Sequence, residues 1–217
     1  MSPAAGKRAG AVAAGIAGAV ALAVLLAGCA PHAGPTPPRP HGRSGATLVD
    51  HLGWVEEQLD DAIAKSGIPD GWVASYGQRE VPWTEDPVAR HEILGSLLPR
   101  ACGHGGQLVQ SLVRRNAPDP QGVAQRLRQA WADDGWVVTD VFSVPQPAHP
   151  YFRADSDDGA KLVLDATAEG LILKVDSSCS VDPSMAGPGL DLRARDAFLE
   201  EILRRGRGTG MLRGGTP

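Results

Sequence analysis

The sequence lacks the short motifs by which many enzymes and nucleotide-binding proteins are recognised. It has no glycine-rich phosphate loop, no dinucleotide fingerprint and no Gly-x-Ser-x-Gly nucleophile turn. His91-Glu92 begins like a zinc-peptidase helix, but the second histidine one turn later is missing. We therefore name no catalytic residue and expect no cofactor and no metal. A catalytic triad assembled from distant residues, such as Ser96, His104 and Asp140, stays open as an alternative.

A basic excess is also absent. The chain has 21 Lys and Arg against 25 Asp and Glu, which gives a formal net charge of −4. Proteins that bind nucleic acid broadly usually carry a basic surface. We therefore expect no nucleic-acid partner.

Long uncharged runs are absent except near the N-terminus. Lys7 and Arg8 precede a segment of small and aliphatic residues that ends in Leu26-Ala27-Gly28-Cys29. A short basic region followed by an apolar run is typical of a signal peptide. The last four residues resemble the lipobox of bacterial lipoproteins. The resemblance implies a signal peptide over residues 1–28, cleavage before Cys29, and a diacylglyceryl group with fatty acids such as palmitate on the Cys29 sulfur.

An uncleaved membrane anchor is the alternative, since about 19 apolar residues can just span a bilayer. Either alternative places the rest of the chain outside the cytoplasm. With lipidation, the predicted location is the extracytoplasmic face of the cell membrane, with two acyl chains on Cys29 as the attachment. Residues 29–45 are rich in proline and are predicted to form a tether that holds the next segment ~40 Å from the lipid.

Only two further cysteines are present, Cys102 and Cys179. Because an exported protein meets an oxidising environment, we expect them to form a disulfide bond. A metal site that uses Cys102 with His104 is the alternative, but it supplies two ligands where zinc needs at least three from the protein.

The remaining chain alternates between helical and extended patterns. Apolar residues at helical spacing predict a helix from about Ser44 or Thr47 to Ser66, which ends before Gly67 and Pro69. Asp119-Pro120 predicts a second helix start, and Asp191 a last one. Strands are predicted near residues 108–113, 136–142, 151–154, 161–166 and 171–175, with a helix as the alternative for the first of these segments. Residues 70–104 contain several prolines, and we expect them to be largely irregular. Within them, Trp72, Val73 and Tyr76 could form a short strand and residues 90–98 a short helical turn.

This element order predicts an α+β fold: an antiparallel meander of three to four strands with helices on one face. The expected organisation is a single domain over residues 46–205 and a disordered tail over residues 206–217. Together with the lipobox, the pairs Gly135-Trp136, Asp158-Gly159 and Ser178-Cys179 resemble small secreted lipoproteins of high-GC bacteria that have no assigned activity.

We interpret the chain as a membrane-anchored, non-enzymatic module that binds a protein or a cell-envelope component. An envelope hydrolase with dispersed catalytic residues and a carrier of an apolar ligand are the alternatives. Trp131 and Trp136 are expected in the core, whereas Trp54, Trp72 and Trp83 could pack there or line a groove.

Overall fold

Residues 45–144, 146–185 and 191–210 are described by the structure, which is a computed structural model. The predicted signal peptide, Cys29 and the tether before Gly45 lie outside this part of the chain. The helices are α1 Leu48–Ser66, α2 Pro87–Gly95, α3 Pro120–Asp133 and α4 Leu192–Gly210. The strands are β1 Val73–Tyr76, β2 Arg79–Pro82, β3 Arg100–Cys102, β4 Gly105–Gln107, β5 Val109–Arg115, β6 Val137–Asp140, β7 Tyr151–Asp155, β8 Lys161–Thr167 and β9 Gly170–Asp176.

Helix α1 begins at the second of its two predicted starts, after Thr47, and ends at Ser66 as predicted. The Thr47 hydroxyl accepts a hydrogen bond from the Asp50 amide, and the Asp50 carboxylate accepts one from the Thr47 amide. This reciprocal capping satisfies two amides that the helix itself leaves unpaired. At the other end Gly67 takes a left-handed conformation, φ 72°, which suits glycine and stops the helix.

The main sheet is antiparallel and has seven strands in the order β2-β1-β5-β9-β8-β7-β6. The α+β class is confirmed, but the expected size of three to four strands is wrong. The meander prediction counted only strands joined by short turns. Strand β5 pairs with β9 along its whole length although about 60 residues separate them, and β5 in turn brings in β1 and β2.

The expectation that residues 70–104 are largely irregular is also wrong, whereas the short strand at Val73 and the helical turn at Arg90 are present. This region forms β1, β2, α2 and β3. Its prolines lie where an element begins or ends or at a sheet edge: Pro87 starts α2 after the Asp86 cap, and Pro82 lies on the outermost strand. Proline is compatible with each of these positions because no regular hydrogen bond is lost there.

The core lies between the helices and one face of the sheet. Along β8 the buried residues Leu162, Leu164 and Ala166 alternate with partly exposed ones, and β9 buries Leu171, Leu173 and Val175 in the same way. On the opposite face Ile172 is 44% exposed. This alternation is typical of a sheet with one packed face.

The tryptophans belong to this core. Four of them are nearly or fully buried, namely Trp54, Trp72, Trp83 and Trp131. Trp136 is partly exposed and packs against the core. The core prediction for Trp131 is confirmed. The alternative in which Trp54, Trp72 and Trp83 line a groove is wrong, because all three side chains are buried in the hydrophobic core.

Helix α2 is attached to α1 by a partly buried charged group. The Arg90 guanidinium donates two hydrogen bonds of 2.7 Å to the Asp60 carboxylate and one of 3.1 Å to Glu56. It also lies 4.5 Å from the centre of the Trp83 ring. Burial disfavours the charged form, but the two carboxylates outweigh it and raise the pKa of Arg90 above its usual value.

A buried polar segment follows β9 and forms hydrogen bonds with Gly45 and Ala46, which precede α1. Ser177, Ser178 and Ser180 are fully buried. The Ser180 hydroxyl accepts from the Gly45 amide at 3.3 Å and donates to the Ala46 carbonyl at 2.7 Å. His51 lies on the neighbouring turn of α1 and is 2% exposed. Burial lowers the pKa of its imidazole, although nearby carboxylates oppose the effect.

At the C-terminal end, α4 continues to Gly210, five residues beyond the predicted domain boundary at residue 205. Leu199 and Ile202 bury one face of this helix. Within the described ranges no helix combines the length and apolar character needed to cross a membrane.

Candidate functional site

A groove of about 350 Å³ lies between α3 and the connection from β6 to β7. It is open to solvent, and both polar and apolar side chains line it. Its volume is at the lower end of the range typical of small-ligand sites. The lining residues are Gln121, Ala124, Gln125, Arg128, Asp140, Phe142, Gln146, Pro147, His149, Pro150 and Tyr151.

One wall of the groove is the face of α3 that carries Gln121, Gln125 and Arg128. Their spacing of four and three residues places them on one side of the helix. The opposite side of α3 contacts α1, where the Arg126 guanidinium donates to the Ser66 carbonyl at 2.9 Å and Lys65 pairs with Asp134. These contacts fix the rotation of α3, so the two glutamines face the groove.

An ion pair between Arg128 and Asp140 lines the groove. The Arg128 guanidinium donates to the Asp140 carboxylate and also lies 4.5 Å from the centre of the Phe152 ring. Both side chains are more than one third exposed, so the pair contributes at most about 1 kcal/mol to stability. Its main effect is to neutralise the two charges where a ligand would lie.

Aromatic rings form the other wall. Phe142 contacts His149 and Tyr151 edge to face, with ring centres 5.3 and 5.5 Å apart. The imidazole of His149 stacks on Tyr151, and its Nε2 lies 2.5 Å from the Asp165 carboxylate. Such packing fixes the rings in place, and the carboxylate fixes the orientation of the imidazole.

The lining of the groove combines hydrogen-bonding groups with apolar surface. Side-chain amides both donate and accept hydrogen bonds, and the rings offer apolar surface to a ligand. His149 and Asp165 resemble the base and orienting acid of a hydrolase, but among the described residues that line the groove none is a serine, threonine or cysteine that could act as the nucleophile. The groove is also open and partly polar, whereas a carrier of an apolar ligand needs an enclosed apolar cavity.

The disulfide predicted for Cys102 and Cys179 is present, with Cα atoms 5.8 Å apart. It joins β3 to the segment after β9, on which Ser180 lies. The metal alternative for Cys102 with His104 is thereby excluded, since the sulfur is used. Among the residues that the structure describes, no cluster of three or more histidines, cysteines or acids could hold a metal.

The three residues of the distant triad alternative lie on separate elements. The Ser96 hydroxyl bonds to Tyr76 at the end of α2, His104 lies in the turn from β3 to β4, and Asp140 pairs with Arg128. Asp140 therefore belongs to the groove, but with a different partner from the one that the triad required.

Sequence reasoning missed the groove as a site. The available signal was the concentration of Phe142, His149 and Tyr151 within one proline-rich connection. Each ring is ordinary in isolation, and only the pairing of β6 with β7 brings the three together and opposite α3.

Comparison with known proteins gives little further information. No protein-family model matches the sequence, and no curated protein matches it. A similar solved structure is the crystal structure of a DUF4853 family protein from Actinomyces odontolyticus ATCC 17982. The TM-score is 0.39 at 11% sequence identity, and the similarity covers 62% of this chain and 69% of that chain. At this distance no function carries over.

Proposed function

We propose that the chain is a lipoprotein, anchored through Cys29 to the extracytoplasmic face of the cell membrane, whose domain binds a ligand in the groove beside α3. The anchor follows from the lipobox Leu26-Ala27-Gly28-Cys29. The binding role follows from the groove with its fixed rings, amides and internally neutralised charges.

The position of Gly45 relative to the groove carries the proposal. Gly45 contacts Ser180, which lies beyond the end of β9 where Asp176 pairs with Lys161. The groove lies towards the other end of the same strands, where Tyr151 pairs with Asp165. Four residues separate Lys161 from Asp165, about 13 Å along the strand.

A tether that ends at Gly45 would therefore enter the domain at the end away from the groove. An attachment at that end leaves the groove clear of the tether. This supports a binding role for the groove in an anchored protein.

The anchor is tested by the intact mass of the protein extracted from membranes. We expect an N-terminus at Cys29 with added acyl chains, and a Cys29→Ala variant without them. An unmodified chain that begins at Met1 would contradict the lipoprotein assignment.

The groove is tested separately with a photoreactive amino acid at position 125, which lines it. The control carries the same group at position 204, on α4, where the side chain of Arg204 is 79% exposed. In intact cells we expect a discrete crosslinked product from position 125 and none from position 204. Identical patterns from both positions, or no product from either, would reject the groove as the binding site.

A further inference from the structure

Three side-chain amides line the groove, and none of them bonds to another residue that the structure describes. Gln121 and Gln125 lie on α3, and Gln146 lies on the connection from β6 to β7. By contrast, Gln129, one turn after Gln125 on the same helix, donates to Asp133 at 2.8 Å. A side-chain amide both donates and accepts hydrogen bonds. The groove therefore offers several donors and acceptors to a ligand.

The charged groups of the groove are already paired. The Arg128 guanidinium donates to the Asp140 carboxylate, and the Nε2 atom of His149 lies 2.5 Å from the Asp165 carboxylate. A charged ligand would have to displace one of these partners, which would leave the displaced charge without its counterion. The pairing therefore favours a ligand with no net charge.

The pair of Arg128 and Asp140 also supplies polar atoms in fixed positions. Arg128 has five N–H groups and uses one of them on Asp140, whose second oxygen accepts no hydrogen bond from the residues that the structure describes. The guanidinium is held 4.5 Å from the centre of the Phe152 ring. A neutral ligand with hydroxyl groups can bind to these atoms without separating the two charges.

Apolar surface lies beside these polar groups. Phe142 and Tyr151 line the groove and are partly exposed, and their edge-to-face contact at 5.5 Å holds both rings in place. The face of an aromatic ring carries partial negative charge and attracts C–H groups. A ligand that covers this surface and also satisfies the amides must combine C–H groups with hydroxyls. The ring of a neutral sugar has this combination, since its C–H groups lie on its faces and its hydroxyls lie around its edge.

We propose that the groove binds a neutral saccharide, with a sugar ring against Phe142 and Tyr151 and its hydroxyls bonded to the polar side chains of α3. This proposal rests on the proposed binding role of the groove and names the class of its ligand. A purely apolar ligand fits less well, because it would remove the amides and the ion pair from water without replacing their hydrogen bonds. The groove is open to solvent, so a longer saccharide chain can extend beyond it.

A peptide is the competing ligand, and the geometry of the groove favours it less. Extended peptides bind mainly by pairing their backbone with free backbone groups of a sheet. One wall of the groove is the side of α3, whose backbone groups bond within the helix. Recognition at this wall therefore depends on side-chain amides, which bind hydroxyl groups equally well.

The experiment uses the full-length protein in detergent micelles and an array of immobilised oligosaccharides. The array includes the neutral probes cellotetraose, maltotetraose and tetraacetylchitotetraose and the anionic probe tetragalacturonate. Saccharides that bind are then measured by titration calorimetry against the wild type and two variants.

The first variant, Gln121→Ala/Gln125→Ala, removes two of the three amides. Both side chains are exposed and alanine favours a helix, so α3 should keep its packing. The second variant, Gln129→Ala, is the matched control, since it makes the same change on the same helix outside the lining of the groove. Circular dichroism checks that both variants fold.

We expect a neutral saccharide to bind the wild type and Gln129→Ala equally, and to bind the double variant about tenfold more weakly or worse, because two hydrogen bonds are lost. The affinity should change less than about twofold between ~50 and ~500 mM sodium chloride, since a neutral ligand has no charge to be screened. In the wild type, which needs no variant, NMR saturation of the aromatic protons should transfer to the C–H protons of the sugar. These three results together support a neutral saccharide in the groove.

Three outcomes would overturn the proposal. A saccharide that binds the double variant as tightly as the wild type occupies another site. Binding confined to tetragalacturonate, with an affinity that falls as salt rises, would show that the ligand is anionic. Binding of no neutral saccharide would reject this class of ligand.

The crosslinking from position 125 separates this last result from a failure of the proposed function. If a crosslinked product still forms, the groove binds another ligand, and a protein in that product would identify the ligand as a peptide. If no product forms, the binding role of the groove is rejected together with the saccharide.

Discussion

The disulfide between Cys102 and Cys179 closes a loop that contains most of the main sheet, and its removal should strongly destabilise the domain. Strands β5 to β9 all lie between the two cysteines. In the folded protein the same two segments are also joined by backbone hydrogen bonds between Gly106 and Ser180, both of 2.9 Å. We therefore expect the reduced chain to keep its fold and the disulfide to act mainly by restricting the unfolded chain.

The magnitude follows from the length of the loop. For a sequence separation of 77 residues, the chain-entropy relation gives about 4.5 kcal/mol at 25 °C as an upper figure. For a domain of this size each kcal/mol changes the melting temperature by about 2–4 °C, so the temperature should fall by up to about 9–18 °C.

The assay is urea unfolding followed by tryptophan fluorescence, since four of the five tryptophans are buried. The wild type is compared with a Cys102→Ala/Cys179→Ala variant, each with and without reductant. Reductant should destabilise only the wild type. A free energy of unfolding that differs by less than about 1 kcal/mol between the oxidised wild type and the variant would refute the entropic reasoning.

Three further predictions concern single residues. Burial lowers the pKa of His51, so the unfolded chain binds a proton at this imidazole more readily than the folded one. The free energy of unfolding should therefore fall as the pH drops below about 6.5. Thermal melts of His51→Leu should depend less on pH than those of the wild type. Gly105→Ala should lower the free energy of unfolding by at least about 2 kcal/mol, because the added Cβ would collide with the Ser180 carbonyl. The control Gly53→Ala adds a Cβ with no atom closer than 4.0 Å and should raise the free energy of unfolding by about 0.5–1 kcal/mol, because alanine favours the helix. Urea unfolding compares the two variants. Arg90→Lys should lower the free energy of unfolding by about 1–2 kcal/mol in the same assay, since an ammonium cannot reproduce the two hydrogen bonds to Asp60 and the contact with the Trp83 ring. An unchanged urea midpoint would show that a positive charge at this position is sufficient for stability.

Local signals in the sequence predicted many of the elements. Asp119-Pro120 starts α3, Gly67 ends α1, and the turns at Asp158-Gly159 and Glu169-Gly170 join β7, β8 and β9. Each of these signals acts through hydrogen bonds or backbone conformations within a few residues, so it can be interpreted without knowledge of the fold. The disulfide was predictable for another reason, because two cysteines remained and allowed one pairing.

Contacts between distant residues could not be inferred in the same way. Val73 gives no sign in the sequence that it will pair with Val113, and Phe142 and Gln125 give no sign that they will face each other. The number of strands and the groove both depend on such contacts. The lipobox-like motif, the boundaries of α1, the start of α3 and the hairpin turns could be predicted from the sequence alone because they depend on neighbouring residues. The tertiary structure decided the sheet order and the site because both depend on which distant apolar faces pack together.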